Sequence, residues 1–300
     1  MKRTLFTVLG TLIMTCFAVS AWAAAPIKVS CDKEGSINKT LARLAQSGNT
    51  RGVTILVSGT CKENITITGF DHLVLQGAPT ATIQDASNGN DLVVNIYGSY
   101  DVTLQNFTIN EGAGGVQCAG DSFCTLNLNA VQQSAGDGVT IRRSTAILTN
   151  NSILNHSGRG LAVVNSGKVG TVSNTISGNG GPGVTVLSGG ELNAISDIVQ
   201  NNAFGIRALN NSVVRASGVT ISGNRSDGVR LESSSTARFE GDNGITGNSG
   251  NGVSINDLSF AGFSGDNVSG NLAQPDVACY PQFSATRGAG TVGGTTNCPN

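Results

Sequence analysis

Arg207 and Arg230 each stand two residues after the glycine of a Gly-aliphatic dipeptide, Gly205-Ile206 and Gly228-Val229, so the place one takes in the fold is repeated by the other. Guanidiniums stacked in this way repel unless water or an anion bridges them, and a uronate, sulfate or phosphate has the matching charge and geometry. Glu232 and Glu240 are close enough in sequence to supply that balance from within. Arg215 and Arg238 form a second pair with the same spacing, expected on the following strand. Other chemistry is sparser. His156 could serve as a general base, yet its place in a column of asparagines favours a structural hydrogen bond. Asp137 and Asp227 each precede a repeat glycine, which is foremost a turn signal. Asp71-His72 has no visible partner. Tyr97 and Tyr100 could stack on a sugar, although the scarcity of aromatics argues against a strong platform. No Cys-x-x-Cys occurs and both histidines lie far from the cysteines, so no metal and no cofactor is expected.

The elements that position these residues are set by a repeat. Gly138-Val139, Gly160-Leu161, Gly183-Val184, Gly205-Ile206, Gly228-Val229 and Gly252-Val253 follow one another at steps of 22 to 24 residues. A second series, Ile153, Ile176, Ile198, Ile221, Ile245 and Val268, keeps step with the first. Two registered series imply one repeated structural unit. Each unit opens on a period-two strand, which turns Val139 and Ile141 inward and Thr140 and Arg142 outward. Thr185, Arg207 and Arg230 fall on the same outward face. Two further short strands follow, with Gly, Ser, Asn and Asp at the corners. No unit holds ten residues of helical periodicity, which excludes helical solenoids and βαβ units.

A unit of this size with three short strands cannot bury its apolar face alone, and stacked copies build parallel sheets around a continuous core. The leucine-rich-repeat pattern and the G-G-x-G-x-D of calcium-binding rolls are both absent. Asn179, Asn201, Asn224, Asn248 and Asn271 each follow a member of the second series by three residues, with His156 in the corresponding place after Ile153. Stacked asparagines at a turn can bond to one another and to neighbouring coils. On these residues the chain resembles the secreted right-handed parallel β-helix proteins of the pectate-lyase-like fold, from about residue 53 to about residue 271. The resemblance implies an all-β, right-handed parallel β-helix, a single-stranded solenoid of about nine to ten coils forming a rod roughly 45 Å long. Proteins of this kind act on polysaccharides as lyases, hydrolases or epimerases, or serve as adhesins and scaffolds. Their catalytic motifs are missing here: no W-I-D-H or R-x-P-x-x-R of pectate lyases, no R-I-K of polygalacturonases, no D-P-H-D of mannuronan epimerases. No catalytic residue carries over.

Residues 1–23 read as a signal peptide, with Lys2 and Arg3 before an apolar stretch at 5–19 and a small-x-small site at Ala21-Trp22-Ala23. The rest, 24–300, reads as a single β-helix domain: an N-terminal cap over about 24–50, coils over about 51–272 and a C-terminal cap over about 273–300. Ser36 is a plausible helix cap, and Ile37, Leu41 and Leu44 share one helical face that can cover the open end of the sheets. Pro275, Pro281 and the Gly-rich stretch 288–294 end the repeat. Cys16 leaves with the signal, and the six remaining cysteines in an exported chain favour disulfides. Their connectivity is not fixed by sequence; proximity gives Cys31 with Cys61, Cys118 with Cys124, and Cys279 with Cys298.

Lys and Arg number 18 against 19 Asp and Glu, scattered rather than clustered, which excludes a nucleic-acid footprint. No later segment is apolar for long enough to span a bilayer. The expected protein is therefore a periplasmic or extracellular monomer, a non-catalytic binder or scaffold for a glycan or another envelope component. Its expected ligand-binding residues are Arg207, Arg230, Arg215 and Arg238, with an acidic polysaccharide as partner. The alternative is a polysaccharide lyase or epimerase with a non-standard arginine-based site.

Overall fold

The computed structural model describes residues 25–280, 285–286 and 294–298; the expected signal peptide, 1–23, and most of the Gly-rich stretch lie outside the described residues. Each of the six repeat Gly-aliphatic dipeptides opens a strand. These six and four others, ten strands from Ile65–Thr68 to Val277–Cys279, pair in parallel, coil on coil, into one sheet. The remaining strands form a second sheet of 19, each regular coil giving it two short strands such as Thr145–Thr149 and Ser152–Leu154. The architecture is an all-β right-handed parallel β-helix of about ten coils.

Period-two burial sets the core. Val139, Ile141, Leu161, Val163, Ile206, Ala208, Val229 and Leu231 are fully buried, and Phe239 and Phe263 stack at 5.2 Å between coils. Ile37, Leu41 and Leu44 of the helix Ile37–Gln46 close the N-terminal end. Ser36 Oγ accepts from the Lys39 N–H at 3.1 Å, and Glu63 accepts from the N–H groups of Ile37 at 2.7 Å and Asn38 at 3.1 Å. These bonds satisfy donors that a helix start leaves unpaired. The disulfides are Cys31–Cys61, Cys118–Cys124 and Cys279–Cys298. Among the described residues no helix is long and apolar enough to cross a membrane.

The asparagine column is a buried ladder. The N–H of His156 donates to Asn179 Oδ1, that of Asn179 to Asn202, and so on through Asn224, Asn248 and Asn271 to Asp276, at 3.0–3.1 Å. The glycine series packs against it, against the second aliphatic series and against a backbone carbonyl of the next coil. A Cβ on Gly160, Gly183, Gly228 or Gly252 would come within 2.6–2.8 Å of a ladder amide nitrogen.

One coil corrects the sequence register. Val199, not Ile198, lies beside Ile176 and Ile221, and Ile198 is 40% exposed. Asn202, not Asn201, therefore belongs to the ladder. Asn201 instead takes the left-handed corner (φ 58°) that Gly178 and Gly223 occupy in adjacent coils, a conformation asparagine tolerates better than most residues. Adjacent pairs Ile198-Val199 and Asn201-Asn202 fit the repeat spacing in either register, and burial of Val199 selects one.

Two further ladders follow from the corners. Along one edge the N–H groups of Ser99 and Ser122 donate to the hydroxyls of Ser122 and Ser144, and those of Ser212 and Ser235 to the hydroxyls of Ser235 and Ser259. Along another the N–H groups of Asn129, Asn151 and Asn174 donate to the side-chain oxygens of Asn151, Asn174 and Asp197.

Candidate functional site

The ten-stranded sheet presents its outward side chains in rows fixed by strand register. Thr185, Arg207 and Arg230 lie one above the next in successive coils. Glu232 follows Arg230 by two residues on the same strand and therefore faces the same way. Its two carboxylate oxygens are divided between the guanidiniums: Arg207 Nε donates to one at 2.7 Å and Arg230 Nε to the other at 3.1 Å. Asp227, at the turn before the strand, lies 3.8 Å from Arg230 Nη1 and accepts from the Asn251 N–H at 2.9 Å. Phe204 occupies the matching turn one coil earlier, its ring centre 5.9 Å from both guanidinium carbons.

The bridging anion considered from sequence is thus supplied by the chain itself. Burial works against the charge of Glu232, but the hydrogen bond from Arg207 and the charges of Arg207 and Arg230 outweigh it and hold its carboxyl below the usual range. Among the described residues no carboxylate forms a hydrogen bond with an Nη group of either arginine, and their side chains are 37% exposed. Asp227 does more than mark a turn.

Grooves extend the site in both directions along the sheet. Towards the C-terminal end, Asp227, Arg230, Asn251, Ser254, Asn256 and Tyr280 line a cleft of about 380 Å³, where the Tyr280 hydroxyl donates to Asn251 at 3.0 Å. Towards the N-terminal end, Gln117, Thr140, Arg142, Val164 and Leu187 line one of about 390 Å³. Its rim is an Arg159–Asp137 clamp with contacts of 3.0 and 2.6 Å. Thr185 is buried between Ala162 and Arg207 rather than freely exposed, and its Oγ1 has no hydrogen-bond partner among the described residues.

Arg215 and Arg238 are in register with each other as expected. They lie on the 19-stranded sheet, so the four arginines do not converge on one site. That pair lines a separate cleft of about 500 Å³ with Val213, Thr236 and Phe260, and Arg238 is paired with Glu240. His156 is withdrawn from surface chemistry. Its Nδ1 accepts from the Ser134 N–H and its Nε2 donates to the Val131 carbonyl, which leaves the ring neutral. Burial pushes its pKa down to about 4, against the opposing Val131 hydrogen bond and Asp137 charge. Asp71-His72 gains partners that sequence did not show: Arg51 and Asp101.

A family model described as a right-handed beta helix region matches residues 92–212. No curated protein matches the sequence. Among solved structures, the A-module of mannuronan C-5 epimerase AlgE4 from Azotobacter vinelandii is similar at a TM-score of 0.64 and 16% identity, covering 88% of this chain and 92% of that one. The A-module of AlgE6 from the same organism gives 0.65 and 15%, covering 91% and 100%. Pectate lyase Pel9A gives 0.64 and 13%, covering 88% and 79%. At these identities the likeness is one of fold.

Proposed function

We propose that this right-handed β-helix protein is an exported, non-catalytic binder of an acidic polysaccharide, which lies along the ten-stranded sheet with Arg207 and Arg230 addressing its anionic groups. The observation that carries this reading is the register-stacked arginine pair in an open groove, with Nη donors left over after Glu232 is satisfied. A flat sheet with clefts on either side suits an extended polymer better than a compact ligand. The three disulfides fit an oxidising compartment, periplasmic or extracellular.

Lyase or epimerase chemistry is the competing reading, favoured by the epimerase and lyase named among the structural neighbours. Either reaction requires a base to take a sugar C–H proton. In this groove Glu232 is held ionised by two guanidiniums, which makes it a poor base, and Asp227 is occupied by Arg230 and the Asn251 N–H.

The two readings separate in one experiment. Oligouronates are titrated calorimetrically, and the same mixtures are followed for unsaturated ends and for epimerised residues. Binding without either product supports the proposal. Release of 4,5-unsaturated ends that is lost in Arg230→Ala replaces it with the lyase.

A further inference from the structure

At a corner of the early coils, Asp71, His72 and Asp101 form a cluster remote from the arginines. His72 Nδ1 contacts an Asp71 oxygen, and Nε2 lies 3.4 Å from Asp101 Oδ2, so both ring nitrogens face carboxylates. Arg51 Nε holds the second Asp71 oxygen at 3.0 Å. Beside them runs an aromatic surface. The Tyr100 ring lies 6.2 Å from the imidazole of His72 and 5.9 Å from Phe123. Tyr100 is 61% exposed and Tyr97 49%. Tyr97 rests against Gly120, where an added Cβ would come within 2.6 Å of the ring.

This surface is held rigid from behind. The N–H groups of Phe70, Ser99 and Ser122 donate in turn to the hydroxyls of Ser99, Ser122 and Ser144. The His72 N–H donates to the Tyr100 carbonyl at 3.0 Å. Exposed, fixed rings rimmed by acceptors are apolar at the centre and hydrogen-bonding at the edge. A pyranose matches both, since its C–H face covers a ring while its hydroxyls donate to carboxylates. Two carboxylates against one arginine disfavour an anionic sugar here.

We propose that Tyr97, Tyr100 and Phe123, with Asp71, His72 and Asp101 at the rim, form a subsite for a neutral pyranose, bound by stacking rather than by charge. The proposal rests on the glycan reading of the ten-stranded sheet and extends it. Tyr97 stands in the same outward row as Glu232, six coil steps away. At ~4.8 Å per coil that is roughly 30 Å. One polymer on the sheet would then meet a stacking surface near one end and the arginines near the other, so the ligand is an acidic polysaccharide that also carries neutral residues.

The chain has two histidines, one at this corner and one in the buried ladder, and their imidazole NMR signals make the test. Neutral hexasaccharides of α-glucan, β-glucan, β-mannan and β-galactan are titrated into the protein at low and high salt. At least one should shift the His72 signal independently of salt, while the His156 signal stays fixed and certifies folding. Tyr100→Ala should weaken that binding about tenfold. The subsite is overturned if no hexasaccharide moves His72, or if binding survives in Tyr97→Ala/Tyr100→Ala. Failure of the arginine reading shows separately, as oligouronate binding indifferent to the two arginines.

Discussion

Arg207 Nε donates to Glu232 Oε2 at 2.7 Å although the residues are 25 positions apart. The contact spans one coil, because a strand that places Arg230 above Arg207 must also place the residue two further on along the same face. Glu232 is therefore the resident anion of the groove, and any incoming carboxylate or sulfate competes with it.

Glu232→Gln should accordingly raise affinity for oligouronates, by about three- to tenfold, as it frees two charge-assisted donors. Stability should drop by about 1 kcal/mol with the lost bonds. Calorimetry on the variant checks this; unchanged or weaker binding would show that Glu232 positions the arginines for the ligand rather than competing with it.

The corrected register of the asparagine ladder makes a sharp comparison. Asn202 accepts from the Asn179 N–H and donates to the Ile176 carbonyl, both buried. Asn202→Ala should cost about 3 kcal/mol through the unpaired groups. Asn201→Gly, at a left-handed corner, should be close to neutral. Urea melts that rank the two the other way round would restore Asn201 to the ladder.

How much of this was legible in the sequence depends on how closely side chains must approach. The glycines were legible because a Cβ at Gly160 or Gly183 would strike Asn179 or Asn202, so the chemistry of the ladder is printed in the glycine series. The inward strand positions and the helix cap at Ser36 were legible for the same reason of strict burial and satisfied donors. The coil with Ile198-Val199 was not, since both residues are apolar and only packing distinguishes them. The serine ladder stayed hidden because serine is common in any turn. The pairing of His72 with Asp101 could not be read, as the early coils depart from the 22 to 24-residue step and join Asp71 to Tyr100 across a longer coil.

His156 should give the fold an acid-side weakness. Its unfolded pKa is near 6.5 and its folded value about 4, so between these the unfolded chain binds more protons and stability falls as pH falls. The contribution is fully present above pH 6.5 and declines towards pH 4, by on the order of 3 kcal/mol. His156→Asn, which places the ladder's own residue type in the column, should flatten that slope. Denaturant melts at pH 7 and pH 4.5 decide it; an unaltered slope in the variant assigns the acid sensitivity to another group.

The six cysteines of the three disulfides should resist alkylation in denatured, non-reduced protein purified from an oxidising compartment. Cys279→Ser with Cys298→Ser should expose the last coil to proteolysis before the rest, because that bridge ties the strand Val277–Cys279 to the terminal segment. Labelling of any of the six in the wild type contradicts the three pairs.

On the proposed function, Arg207 and Arg230 hold an acidic glycan on the ten-stranded sheet without cutting it. Calorimetric titration of oligouronates at low and high ionic strength, into wild type and Arg207→Ala/Arg230→Ala, puts this to the test. Wild type should bind and weaken as salt rises, and the double variant should lose at least tenfold in affinity with its melting temperature little changed. Equal binding by the two proteins, or no binding by either, contradicts the claim.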